Sequence, residues 1–293
     1  MARILMAGCG DIGSALGVEL GHRGHEVFGL RRRADLLPAS IKPVAADLCD
    51  SSTLGKLPRS LDTVFYTATP GGSGEAAYRR AYIAGLENLL GVLGDSDALP
   101  RRLIYVSSTS VYGQSDGGWI DEDSITEPGG FSGRAVLAGE RVAAAAAVKS
   151  VSVRFGGIYG PGRVRLLQRV QAGAQCVDDP PQYTNRVHRD DCVEILRHLF
   201  ALPSPAPTYV AVDDAPSPEC EVLGWLAQQL DAPKPRRVPL GDWPRRAGSK
   251  RCSNALLRAS GYEFRYPTYK DGYAAVVAAS SANQGCHGQC VDT

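Results

Sequence analysis

Short apolar runs alternate along this chain with stretches of helical spacing, and that alternation predicts most of its architecture. After Arg3, the run Ile4-Leu5-Met6-Ala7 reads as a short buried strand. A glycine-rich turn follows from Gly8 to Gly13, and Ile12 to Arg23 then takes helical spacing, with Leu16 and Leu20 four apart. Gly24 stops that helix and His25 to Leu30 gives a second strand, so about 28 residues hold one strand–helix–strand unit. Val44 to Ala46 predicts a third strand ending at Asp47, and Thr63 to Tyr66 a fourth, followed by a loop from Pro70 to Gly74. Residues 76–94 read as a helix, Arg102 to Ser107 as a fifth strand, 133–148 as a helix and Val151 to Phe155 as a sixth strand. Alternation this regular predicts an α/β fold with a Rossmann-type, doubly wound parallel sheet rather than a barrel.

Beyond Pro161 the pattern loosens. Pro180-Pro181, Pro203 to Pro207 and Pro216 to Pro218 punctuate short elements, as in a small C-terminal lobe. Residues 1–160 and 185–212 are therefore expected to form the dinucleotide-binding domain, and 161–184 and 213–279 the lobe. Residues 280–293 have almost no apolar content and are expected to be a disordered tail.

Composition narrows the function. The 293 residues are 44% apolar and 22% charged, close to the globular average, which predicts a full core. The net charge is +1 and no Lys/Arg stripe runs along any segment, which argues against a nucleic-acid face. Apolar runs reach roughly 5–8 residues, short of the ~20 that span a bilayer. Ile4 to Ala7 is also too short for a signal peptide's apolar core, so a cytoplasmic location is expected. In that compartment the eight cysteines are expected to be free thiols. Cys286-His287-x-x-Cys290 offers three metal-ligand types, but one short cluster in a polar tail makes a poor site, and no metal is expected.

Gly8-Cys9-Gly10-Asp11-Ile12-Gly13 is a complete G-x-G-x-x-G between a predicted strand and a predicted helix. The glycines supply a tight turn, close approach of a pyrophosphate and helix–strand packing, while the helix N-terminus offers unpaired N–H groups. At the end of the second strand an NAD site places a carboxylate for the ribose 2′-hydroxyl. Here the chain reads Arg31-Arg32-Arg33, with Arg31 eighteen residues past Gly13. Guanidinium groups suit a 2′-phosphate, so NADP(H) is expected over NAD(H). The bland reading of the same run is a solvated basic loop. Cys9, inside the turn, is either a redox-sensitive thiol or a small turn residue.

Three further segments carry a resemblance. Val106-Ser107-Ser108-Thr109-Ser110-Val111-Tyr112-Gly113, Arg154 through Tyr159-Gly160-Pro161-Gly162, and Asn185-Arg186-Val187-His188-Arg189-Asp190-Asp191 stand in order. With the glycine turn, they resemble the extended short-chain dehydrogenase/reductases, the group of nucleotide-sugar epimerases and dehydratases, along residues 3–279. The resemblance implies that Ser108 carries the active-site hydroxyl, that Asp47 meets the adenine, and that Ala68 and Ser107 face the cofactor. It also implies a small-molecule substrate, contacts to it from Arg154, Tyr159 and Arg186, and a homodimer through two helices flanking the sheet.

The catalytic pair of that family is missing. Its Tyr, with a Lys four residues on, falls on Ser132 and Val136 when Pro128, Leu137-Ala138 and Glu140 fix the register. No lysine lies between Lys56 and Lys149, so sliding the alignment restores nothing. The chain thus resembles atypical, epimerase/dehydratase-like members without the pair. A replacement acid would be Tyr112 or His188, each with a structural alternative as a core tyrosine or a hydrogen-bonded histidine. Arg134, Arg154 and Arg186 either bind an anionic substrate or pair with carboxylates such as Asp190 and Asp191. Two functions remain open: an NADP(H)-dependent oxidoreductase or epimerase-like enzyme with a non-standard proton donor, or a dinucleotide-binding sensor or scaffold without turnover.

Overall fold

The computed structural model describes residues 1–95, 98–242 and 248–287, and it divides into two compact units. The first comprises Met1–Gly113, Glu122–Phe155 and Cys192–Ala211; the second comprises Gln114–Asp121, Gly156–Asp191 and the chain from Val212.

The first unit is built on seven strands: β1 (Arg3–Ala7), β2 (Glu26–Arg31), β3 (Lys42–Ala45), β4 (Thr63–Tyr66), β5 (Arg102–Ser108), β6 (Lys149–Phe155) and β7 (Thr208–Ala211). They lie in the order β7-β6-β5-β4-β1-β2-β3, and every pair is parallel. The order reverses between β1 and β4, and in such sheets ligands bind outside the carboxyl ends of the strands at that point. Helix α1 (Asp11–His22) connects β1 to β2. The sixth and seventh strands continue the alternation, but β7 follows directly on a proline-rich stretch, so its pattern is masked in the sequence.

The expected single helix over 76–94 is interrupted. Helix α2 (Glu75–Arg79) passes into a π-helical turn at Arg80–Ala84 before α3 (Gly85–Asp95) resumes normal winding. Leu86, Leu89 and Leu93 of α3 pack into the core with Leu5, Val64 and Leu103 of the sheet. Tyr66 and Tyr105 stack at 5.8 Å, and the Tyr66 hydroxyl donates to the Ala81 carbonyl within the π turn. Helix α4 (Phe131–Ala145) buries Ala135, Val136, Glu140 and Ala143 on one side.

The second unit is made of short pieces. Four two-stranded pairings join Trp119–Ile120 to Arg251–Cys252, Gly157–Tyr159 to Arg186–His188, Gln175–Cys176 to Arg236–Arg237, and Tyr183–Thr184 to Ser217–Pro218. The first two pairings explain why residues 114–121 and 185–191 group with this unit rather than with the sheet domain. Leu167, Val222, Leu223, Leu226, Tyr269 and Tyr273 belong to its core.

One cysteine expectation is overturned here. Cys176 and Cys220 form a disulfide across 44 residues of sequence, whereas Cys9, Cys49, Cys192 and Cys252 are not disulfide-bonded. The same two segments are also bridged by Arg169, which pairs with Glu219 at 2.6 Å and donates to the Gln175 carbonyl at 2.7 Å. The final helix, Tyr269–His287, runs through part of the segment expected to be a disordered tail. Residues 288–293, and the side chains of the Cys286-His287-x-x-Cys290 cluster, lie outside what is described. Among the described residues no helix is long and apolar enough to cross a membrane.

Candidate dinucleotide site

The glycine turn sits where β1 ends, and three separate contacts shape it. Gly8 has φ +84°, and a Cβ there would lie 2.5 Å from the Cα of Ala68, so only glycine fits. The N–H groups of Gly8 and Cys9 both donate to the Leu30 carbonyl, at 3.1 and 2.9 Å, which pins the turn beside Arg31. A Cβ on Gly13 would meet Thr67 Oγ1 at 2.8 Å, so this glycine lets α1 pack on the end of β4. Gly10 is different: a Cβ there would meet nothing nearer than a backbone oxygen at 3.8 Å. Its bare backbone faces space in which a ligand can approach.

That space is a cavity of about 610 Å³ walled by the glycine turn, the ends of β2 and β3, and the segment after β4. Asp47 and Ala68 line it. Asp11 and Ile12 open α1 beside the turn, where the N–H groups of a first helical turn lack intrahelical acceptors. Arg31, Arg32 and Arg33 all line the cavity, and a fourth arginine, Arg80, joins them from the π turn. None of the four has a carboxylate within ion-pairing distance among the described residues. Arg80 was not legible in sequence, because it stands in a stretch that reads as uninterrupted helix. Cys9 is fully buried; burial holds its thiol above the usual range, against a hydrogen bond with Ser14 and the nearby charge of Arg31. It is a small turn residue.

At the end of β5 the chemistry is of another kind. Ser107 faces inward, and its hydroxyl donates to Glu140 of α4 at 2.5 Å rather than towards the cavity. Arg154 of β6 grips the same carboxylate twice, at 2.9 and 2.8 Å, and donates to the Tyr112 hydroxyl oxygen at 2.7 Å. Burial alone would lower the Arg154 pKa, but hydrogen bonds and charge from Glu140 and Tyr112 more than restore it, so it is held firmly protonated. Arg154 therefore pairs with Glu140, not with Asp190 or Asp191, and Tyr112 is buried, 2% exposed. Glu140 served only as a register mark in the sequence; it is the keystone of this network. Ser108 is half-buried at the strand end, where its Oγ accepts from the Ser110 N–H at 3.1 Å. On α4, Ser132 is half-buried in the first turn and Val136 is 3% exposed, within the core. Arg134 is exposed and donates to the Gly129 carbonyl.

In the second unit, His188 is 1% exposed, with Tyr159 and Tyr266 against its ring at 5.3 and 4.0 Å. Its Nδ1 accepts from the Asp190 N–H at 3.2 Å, and burial pushes its pKa down, so the ring is neutral. Asp191 holds the 262–266 segment through the Tyr262 hydroxyl and the N–H groups of Arg265 and Tyr266. Asp190 pairs with Arg189 at 3.0 Å. Tyr159 stacks on Tyr273 at 4.3 Å, and its hydroxyl faces the Thr268 carbonyl. Arg186 is buried beside Asp213, and Nη1 of the one and Oδ2 of the other lack a hydrogen-bond partner among the described residues. Burial raises the Asp213 carboxyl to about 7, although the Ala215 N–H and Arg186 pull it down.

A parallel sheet with a glycine turn at its switch point and a cavity beyond defines a dinucleotide-binding α/β protein. Residues 4–200 match the NAD dependent epimerase/dehydratase family, and the chain belongs to it. A curated relative, 3-diazoavenalumate denitrifying reductase from Streptomyces sp, is 28% identical, covering 92% of this chain and 98% of its own. Among solved structures, a Methylobacillus flagellatus protein named as an NAD-dependent epimerase/dehydratase is 35% identical with a TM-score of 0.78, covering 96% and 99%. The human epimerase family protein SDR39U1, solved with NADPH, shares the fold at 19% identity and a TM-score of 0.75, covering 94% and 99%. Other neighbours of this fold were solved with NAD.

Proposed function

We propose that this chain is an NADP(H)-dependent oxidoreductase or epimerase/dehydratase-like enzyme that acts on a small polar substrate of the sugar-derived kind. The observation that carries the cofactor choice is the cavity itself. It couples a glycine turn open at Gly10 to arginines that make no ion pair with a carboxylate among the described residues. Gly8, Gly10 and Gly13 with the first N–H groups of α1 hold the pyrophosphate, Asp47 and Ala68 the adenosine, and Arg31 and Arg32 the 2′-phosphate. When bound, the dinucleotide gives or takes a hydride.

Ser108, at the end of β5, hydrogen-bonds the reacting oxygen of the substrate. Tyr112 is favoured over His188 for moving the proton. The Arg154 guanidinium donates to its oxygen, which fixes a positive charge beside the hydroxyl, as the family's lysine does for its tyrosine. His188, neutral and with Nδ1 already accepting a backbone N–H, keeps the structural role.

A second reading, a sensor or scaffold that binds the dinucleotide without turnover, is favoured by one observation. Val136 fills the lysine position with core side chain, and Tyr112 lies beneath the surface. The deciding experiment titrates the purified protein with NADPH and NADH, then screens the complex against small carbonyl compounds and nucleotide sugars. Tight NADPH binding with stoichiometric NADPH oxidation, lost in Tyr112→Phe, supports the enzyme. Tight binding with no turnover supports the sensor, and no binding removes both.

A further inference from the structure

The arginines at the end of β2 and the π turn that follows α2 reach the cavity from different sides. Leu86, Leu89 and Leu93 fix the rotation of α3 in the core. Each residue of an α-helix turns by about 100°, so the wider π winding at Arg80–Ala84 resets the direction of whatever precedes it. The side chain that benefits is Arg80, which lines the cavity, whereas its equally exposed neighbour Arg79 does not.

Two markers place Arg80 and Arg32 around the same stretch of cavity wall. Cys49, also on the cavity wall, carries a thiol whose pKa is raised by burial and by Asp47, and lowered by the charges of both Arg80 and Arg32. Its Sγ lies 3.7 Å from the Arg80 carbonyl, which places it against the π turn. From the other side, Arg32 Nη2 comes within 4.0 Å of where a side chain on Gly71 would begin, so this guanidinium extends away from β2 across the cavity rim. Arg31 is felt instead at Cys9, on the glycine-turn side. Two cations near one another that make no ion pair with a carboxylate among the described residues repel and gain by sharing a dianion.

We propose that Arg80 is a determinant of cofactor choice: with Arg32 it closes a two-sided clamp on the 2′-phosphate of NADP(H), a phosphomonoester dianion. Arg31 then stands nearer the glycine turn and the pyrophosphate. The inference rests on the NADP(H) reading above and adds a residue from a different element to it.

The test uses the whole chain and two probes, adenosine 2′,5′-bisphosphate and 5′-AMP, which differ only by the 2′-phosphate, with titration calorimetry as the readout. The variants are Arg80→Gln, Arg32→Gln and, as a surface control, Arg79→Gln. The expected result is that Arg80→Gln weakens the bisphosphate by about tenfold while changing 5′-AMP by less than about twofold. Arg32→Gln matches it, Arg79→Gln matches wild type, and the same pattern separates NADPH from NADH. A loss shared equally by both probes, or no loss in Arg80→Gln while Arg32→Gln abolishes the preference, overturns the clamp and leaves the NADP(H) reading standing. If the wild type binds the bisphosphate no more tightly than 5′-AMP, the NADP(H) reading and the clamp fall together.

Discussion

Arg31 and Arg154 stand near the carboxyl ends of two strands of one sheet, and their surroundings could hardly differ more. Arg154 is buried and has Glu140 on two nitrogens and Tyr112 on another. Arg31, with Arg32 and Arg80, lines an open cavity and has no carboxylate against it among the described residues. A charge taken out of water must bring its counter-charge with it, whereas a charge left at a wet rim can wait for one. The pairing state of an arginine thus separates structural from ligand-facing positions more sharply than its place in a motif. The resemblance implied substrate contacts from Arg154, and the geometry gives it a carboxylate of its own.

The largest expected effect breaks the paired side. Glu140→Ala strands the Arg154 guanidinium and should cost about 3–5 kcal/mol in urea unfolding, while Arg31→Glu leaves the unfolding midpoint where it is. Comparable losses in the two variants would mean that pairing does not distinguish these arginines. Next comes the unpaired side: Arg31→Glu should raise the NADPH dissociation constant by about ten- to a hundredfold, with NADH affected less.

Arg186 and Asp213 test an intermediate case, since both are buried yet each keeps an unpartnered polar atom. The folded-state pKa of Asp213, about 7, is above the usual carboxylate value, so the fold favours the protonated acid. Its contribution is fully present below the unfolded carboxylate pKa and is lost as pH rises through about 7. Arg186, Asp191 and Asp214 are the charges around it. Melting temperature should therefore fall between about pH 4 and pH 8 in the wild type, and Asp213→Asn should flatten that slope. Parallel profiles for the two proteins would count against it. The smallest effect is Tyr112→Phe, which removes one charge-assisted bond, keeps the ring against Arg154 at 5.0 Å, and should cost about 1 kcal/mol in stability. Its effect on turnover is the separate question raised above.

Much of this was written in the order of residues. Apolar runs separated by helical spacing marked β1, β2 and β4 to β6, because strands buried on both faces need continuous apolar sequence. The glycine turn was legible for a similar local reason, since each glycine answers a backbone demand within a few residues. What escaped was long-range or depended on winding. A π turn keeps the composition of a helix, so nothing in residues 76–94 announced that Arg80 would face the cavity. Ser107 and Arg154 were visible as polar residues near a strand end, but their common partner, Glu140, comes from α4. Strand β7 was hidden behind the prolines that precede it. The partners Cys176 and Cys220 were indistinguishable from the four cysteines that are not disulfide-bonded, because spacing alone does not bring 44 residues of chain together.

The bridge between those two cysteines has a companion. Arg169 joins the same two segments through Glu219 and the Gln175 carbonyl, using contacts that do not respond to electron transfer. The second unit is thus fastened twice at one seam, once by a bond that thiols can open and once by a bond they cannot. Such redundancy makes the lobe tolerant of its surroundings: its shape is expected to persist through a change of redox milieu.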